Sequence, residues 1–162
     1  MNNINKAMHL LKEDKENDVK QFIQECEESG KFTSDQMIEI REGFKNKLPL
    51  EQIKFYADPK YDSDQMYEIG KGFGNGLTME QVKTYADPKL NWRQMFEVRN
   101  GFEKGLTLDQ VKFYADPKYD WKQMEQIRYG FKNKLPLDQV KTYADPKLNW
   151  EKMRKIRKDL KA

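Results

Sequence analysis

The sequence predicts an all-α fold, an α-solenoid of two-helix repeats with a degenerate helical N-terminal cap, on three observations. The pentapeptide Tyr-Ala-Asp-Pro-Lys occurs at 56–60, 85–89, 114–118 and 143–147, each time 29 residues after the last. A fixed period of this size marks a stacked-repeat architecture. Between the pentapeptides, apolar residues recur at helical spacing: Met37, Ile40 and Phe44, then Met66, Ile69 and Phe73, Met95, Val98 and Phe102, and Met124, Ile127 and Phe131. A helix-starting signature precedes each set, in which Thr33, Asp62, Asn91 or Asp120 is followed three residues later by Gln36, Gln65, Gln94 or Gln123. This is the capping box, where the first side chain accepts from a free backbone N–H and the Gln reaches back.

Taken in order, residues 1–31 form the cap. Ile4, Met8 and Leu11, then Val19, Phe22, Ile23 and Cys26, stand at helical spacing before Ser29-Gly30, and this reads as two short amphipathic helices. The repeats are 32–60, 61–89, 90–118 and 119–147, with a half repeat at 148–162, and together they are expected to form one continuous domain. The first helix of each repeat ends near Gly76 or Gly105, residues suited to a left-handed position, while Lys47 and Lys134 stand there in the other repeats and should be strained. Gly43, Gly72, Gly101 and Gly130 lie inside the first helices. Each costs roughly 1 kcal/mol against Ala there, so the position must serve the close approach of a second helix.

A second start signal follows in Thr78 with Gln81 and Thr107 with Gln110, and Pro49 and Pro136 take that place elsewhere. The second helix is short, with Leu50, Ile53 and Ala57 as its buried stripe. It stops at Asp-Pro because a residue before proline avoids the α region. The aspartate then caps the turn. Repeats alternate in one further respect: Phe55 goes with Tyr61 and Phe113 with Tyr119, whereas Thr84 goes with Leu90 and Thr142 with Leu148.

Composition fits this reading. The 162 residues are 37% hydrophobic and 35% charged, yet include 9 Phe, 8 Tyr and 3 Trp, too many aromatics for a disordered chain. A repeat array needs only a continuous seam between neighbours, which such a polar sequence can supply. The net charge of +3 does not demand a polyanion partner, and the basic excess lies at the C-terminal end. The single cysteine, Cys26, excludes an intramolecular disulfide and suits a reducing compartment. With no signal-peptide core and no long apolar run, the chain is expected to be cytoplasmic and without a membrane partner.

No catalytic, cofactor or metal set is expected. His9, the one histidine, stands in the cap far along the chain from Cys26. Asp58, Asp87, Asp116 and Asp145 each have a proline beside them and are too far apart for a calcium loop, which gathers its ligands within about a dozen residues. Two surfaces are candidates for binding. Placing residues at 100° per step puts Ile38, Tyr67 and Phe96 on the side away from the seam, followed by Glu125 with Tyr129 nearby; an outward apolar row of this kind suits a protein partner or self-association. The alternative is nucleic acid, bound through Arg41, Arg99, Arg128 and Arg157 with the basic end at Lys152, Arg154 and Lys155. Trp92, Trp121 and Trp150 precede three of these arginines by seven residues. They could make a stacking stripe, or a seam shoulder in which the arginine stem covers an indole.

The segment YDWKQMEQIRYGFKNKLPLDQVKTYADPK (119–147) resembles a repeat of uncharacterised bacterial proteins, often from mobile elements and phages, that carry tandem ADPK-x-[DN]-W-x-Q-M-x-x-I-R-x-G units. The resemblance covers 32–162, with Ser34 and Ser63 in place of the tryptophan and Gly70 in place of the arginine. It implies a mobile-element setting and carries no functional residues. The reading is a non-catalytic protein-interaction module, and the resemblance implies a mobile-element or phage factor acting on a host protein.

Overall fold

The computed structural model describes the backbone of residues 3–160 and the side chains of residues 13–160; His9, Ile4, Met8 and Leu11 lie outside the described side chains. Ten helices and no strands make up the described residues: α1 (Asn3–Ser29), α2 (Ser34–Lys45), α3 (Leu50–Tyr56), α4 (Ser63–Gly74), α5 (Met79–Lys83), α6 (Trp92–Glu103), α7 (Leu108–Tyr114), α8 (Trp121–Lys132), α9 (Leu137–Lys141) and α10 (Trp150–Asp159). The chain divides into two compact units, one up to Gly70 and one from Lys71 onward. In the first, α2 packs against both α1 and α3. In the second, α6 packs on α8 and α8 on α10, with α7 against both α6 and α8, and α9 against α8.

The predicted pair of cap helices is a single helix, α1. Residues 12–18, Lys-Glu-Asp-Lys-Glu-Asn-Asp, hold no Gly or Pro and are mostly fair helix formers. Side-chain bonds from Gln21 to Glu25 (2.9 Å) and from Gln24 to Glu28 (2.7 Å) support the later turns. Val19 and Cys26 are its buried residues among those described, and the rest of the visible surface is largely polar.

The start signals form as read. The full capping box is present at Thr33, Thr78, Asn91, Thr107 and Asp120, and the same two bonds join Asp62 and Gln65. The ends form too. Lys47 and Lys134 have φ of 58° and 63°, matching Gly76 and Gly105 at 85° and 81°. In each case the next residue, Leu48, Leu77, Leu106 or Leu135, donates its N–H to the carbonyl of the helix glycine five back, which is the Schellman closure.

That helix glycine answers to a side chain. Tyr56, Tyr85, Tyr114 and Tyr143 of the pentapeptides are fully buried, and a Cβ on Gly43, Gly72, Gly101 or Gly130 would run into the tyrosine hydroxyl. The hydroxyls of Tyr56, Tyr114 and Tyr143 donate to the carbonyls of Glu39, Glu97 and Gln126 at 3.2, 3.2 and 3.4 Å. The buried stripe of α3 is accordingly Ile53 with Tyr56, while Leu50 is half-buried and Ala57 is the C-cap.

The turn behaves as the Asp-Pro step predicts. Asp58, Asp87, Asp116 and Asp145 each accept the backbone N–H of the lysine two residues on, at 2.9 to 3.1 Å. The alternation between repeats is visible as helix length. Where Phe55 and Phe113 stand, the second helix has 7 residues; where Thr84 and Thr142 stand, it has 5, and the threonine hydroxyl bonds back to the carbonyl of Glu80 or Gln139. Such a bond competes with the helical ladder. Phe113 meets the Phe131 ring edge-on at 5.9 Å, and the Tyr119 hydroxyl donates to the Ala144 carbonyl at 3.0 Å.

Candidate functional site

The side chains placed on the outward face by helical geometry are exposed. Ile38 of α2 and Tyr67 of α4 are 50% and 48% exposed, and Phe96 of α6 is 37% exposed with the Arg99 guanidinium over its ring at 5.3 Å. Their exposure follows from the helical period: Met37, Met66 and Met95, one step earlier, are buried in the seam. In the next repeat Glu125 takes the position, half-buried, and accepts a bond from Gln126 Nε2 at 3.0 Å. Tyr129 is half-buried, with the guanidinium groups of Arg128 and Arg157 at 4.8 and 5.3 Å from its ring. It belongs to an arginine cluster and does not extend the outward row.

The arginine stripe is mostly interior. Arg99, Arg128 and Arg157 are buried. Arg128 Nε donates to Glu97 Oε2 at 2.8 Å, and the two side chains are 5% and 3% exposed. Burial pushes the Glu97 carboxyl above its ordinary value, against the pull of Arg128. Arg99 bonds Glu103. Arg41 is exposed, and its Nε and Nη2 both bond Glu27 of α1. Lys152, Arg154 and Lys155 of α10 are exposed.

The tryptophans pair differently from the expected seam shoulder. The residues after Trp92 and Trp121 supply the cations, each to its own indole and to that of the next repeat: Arg93 lies 4.9 Å from the Trp92 ring and 5.8 Å from that of Trp121, and Lys122 lies 5.5 Å from Trp121 and 5.1 Å from Trp150. A periodic sequence does not show which of two neighbouring cations reaches the indole, because that depends on the offset between packed helices.

Glu39 is where the ladder of pairs is interrupted. Glu97 and Gln126, two and three repeats on in the same register, receive the arginine 31 residues further along. The residue 31 after Glu39 is Gly70, so no guanidinium arrives from that position. Burial, with Glu42 and Asp64 adding like charge, raises the Glu39 carboxyl above its usual range.

Compared with family models, curated proteins and solved structures, the chain matches none.

Two recesses were not legible in the sequence. One of about 710 Å³ lies between α1 and the α2–α3 turn, with Val19, Phe44, Leu48 and Leu50 among its walls. The other, of about 550 Å³, lies beside α8 and α10 and is polar. In the second the 29-residue period makes Glu125 correspond to Arg154 and Tyr129 to Lys158, but the period does not show that such residues enclose a cavity. Burial and the neighbouring Glu25 and Glu27 push the Cys26 thiol up, which keeps it protonated and poorly nucleophilic. Among the described residues no group of three His, Cys, Asp or Glu side chains could hold a metal ion, and no helix is long and apolar enough to cross a membrane.

Proposed function

We propose that this chain is a non-catalytic protein-binding module, built as an α-solenoid of 29-residue repeats, that works in the cytoplasm by docking a protein partner on the outward face of its first helices. The observation that carries the reading is the exposure of Ile38, Tyr67 and Phe96, large apolar side chains at one register position, with Trp92 also exposed one turn before Phe96 on α6. Solvent-facing aromatic and aliphatic side chains of this size supply the anchors of protein interfaces. Contacts between neighbouring helices support the array. The resemblance to mobile-element and phage repeats favours a host protein as the partner.

The nucleic-acid reading draws on Lys152, Arg154 and Lys155. It is the weaker of the two, because the stripe that would read the backbone is largely turned inward and paired.

The test uses the intact chain and an Ile38→Ser, Tyr67→Ser, Phe96→Ser variant as bait in a bacterial lysate, with and without nuclease. A partner that survives nuclease with the parent chain and is lost with the variant is the expected result. Retention of the same partners by the variant overturns the docking face, and capture that depends on nucleic acid favours the alternative.

A further inference from the structure

The recess beside α8 and α10 brings four bases together: Lys132 of α8, and Arg154, Arg157 and Lys158 of α10. Facing them is one carboxylate, Glu125, which already accepts the amide of Gln126 at 3.0 Å. Tyr129 and Trp150 form the aromatic part of the wall.

The internal comparison between repeats gives this cluster its meaning. Arg128 is buried and neutralised by Glu97 at 2.8 Å. Arg157 occupies the equivalent position one repeat later and is only 8% exposed, but the residue 31 before it is Gln126. Its Nε and Nη2 both donate to Gln126 Oε1, at 3.3 and 3.2 Å. A neutral amide fixes the guanidinium without cancelling its charge. Buried cations are normally met by an anion, and among the described residues no buried side-chain nitrogen or oxygen is left without a hydrogen-bond partner. The guanidinium hydrogens not spent on Gln126 are therefore open to the recess that Arg157 lines.

We propose that this recess binds a phosphate monoester. Arg157 forms its base, Arg154 and Lys158 close on the phosphate from the exposed side, and Tyr129 and Trp150 flank the organic part. Four cations against one carboxylate match a dianion better than a single carboxylate, and arginine presents paired donors to phosphate oxygens. The volume of about 550 Å³ admits a compact ligand. The same chemistry occurs on a free nucleotide and on a phosphorylated side chain of another protein. This site is separate from the docking of a protein at Ile38, Tyr67 and Phe96 and does not rest on it.

Calorimetric titration of the full chain with AMP and with a phosphotyrosine peptide tests the proposal, with inorganic phosphate as competitor. At low salt at least one probe is expected to bind with Kd below about 1 mM, and the tighter of the two identifies the source. Gln126→Glu supplies Arg157 with the carboxylate that Arg128 already has, at the loss of the amide donor to Glu125; it should weaken binding at least about tenfold, with circular dichroism checking that the variant folds. Arg154→Ala with Lys158→Ala removes only exposed side chains and should weaken binding to a similar degree with no loss of fold. Three results overturn the site: no heat from either probe at about 5 mM, undiminished binding in both variants, or a single-stranded oligothymidine that binds more tightly than both monoesters, which marks a general polyanion surface.

Discussion

At Gln36, Gln94 and Gln123 one side-chain amide ties three pieces of backbone together. The oxygen of Gln123 accepts the N–H of Asp120 at 2.8 Å, while its nitrogen donates to the carbonyls of Pro146 and Leu148 at 3.1 and 2.6 Å, in the turn that opens the next repeat. Glutamate also serves in a capping box, yet it has no donor for those carbonyls. Gln123→Glu should therefore keep the helix start but lose about 1 to 3 kcal/mol at neutral pH. Facing carbonyls without a donor, the new carboxylate would have a raised folded pKa. Its protonated form can donate, so the deficit should shrink as pH falls through that value. Urea denaturation at pH 7 and pH 4 checks both parts. A second residue-scale expectation concerns Lys134, held at φ 63°. Lys134→Gly relieves left-handed strain at the cost of a more flexible unfolded chain, for a net gain of about 0.5 to 1 kcal/mol, readable as a higher urea midpoint.

Between elements, the seam is built from buried tyrosines seated on helix glycines and from arginines that reach back to the preceding repeat. Gly70 interrupts the second device. A Cβ there would meet the Tyr56 ring at 3.6 Å, an ordinary contact, so Gly70→Arg should be accommodated and should bring a guanidinium toward Glu39. Since the folded-state pKa of Glu39 is raised, the parent chain holds this carboxyl most favourably below its unfolded value, and that contribution is lost as pH rises through the folded one. The arginine should reverse the trend by stabilising the ionised form. Gly70→Ala should gain roughly 1 kcal/mol from helix propensity at any pH, and Gly70→Arg should exceed it at pH 7 but not at pH 4. Equal gains at both pH values would show that no pair forms.

For the whole molecule, the separation of fold from binding is the testable matter. Ile38, Tyr67 and Phe96 are exposed enough that their replacement by serine should shift the melting temperature by no more than about 2 °C. Circular dichroism of the triple variant measures this, and a large drop would mean that these side chains hold the fold together, leaving any loss of binding uninformative about docking. Both compact units contain the same two-helix repeats, so the helical signal should change little in either.

The sequence by itself determined the helices, their starts and stops, and the strain at Lys47 and Lys134, because caps, turns and the helical period are local and each was written several times over. It also placed Ile38, Tyr67 and Phe96 outward, since one register position follows from its buried neighbour. It failed where the outcome depended on contacts between segments. Residues 12–18 are a different case: without Gly or Pro, and exposed over 13–18, they continue the helix by local propensity. That the helix glycines serve a tyrosine hydroxyl, that Arg93 and Lys122 rather than the later arginines meet the indoles, and that Arg128 finds a carboxylate where Arg157 finds an amide are facts of side-chain reach across neighbouring helices. A 29-residue period fixes which residues correspond, but only the tertiary structure decides which of them touch.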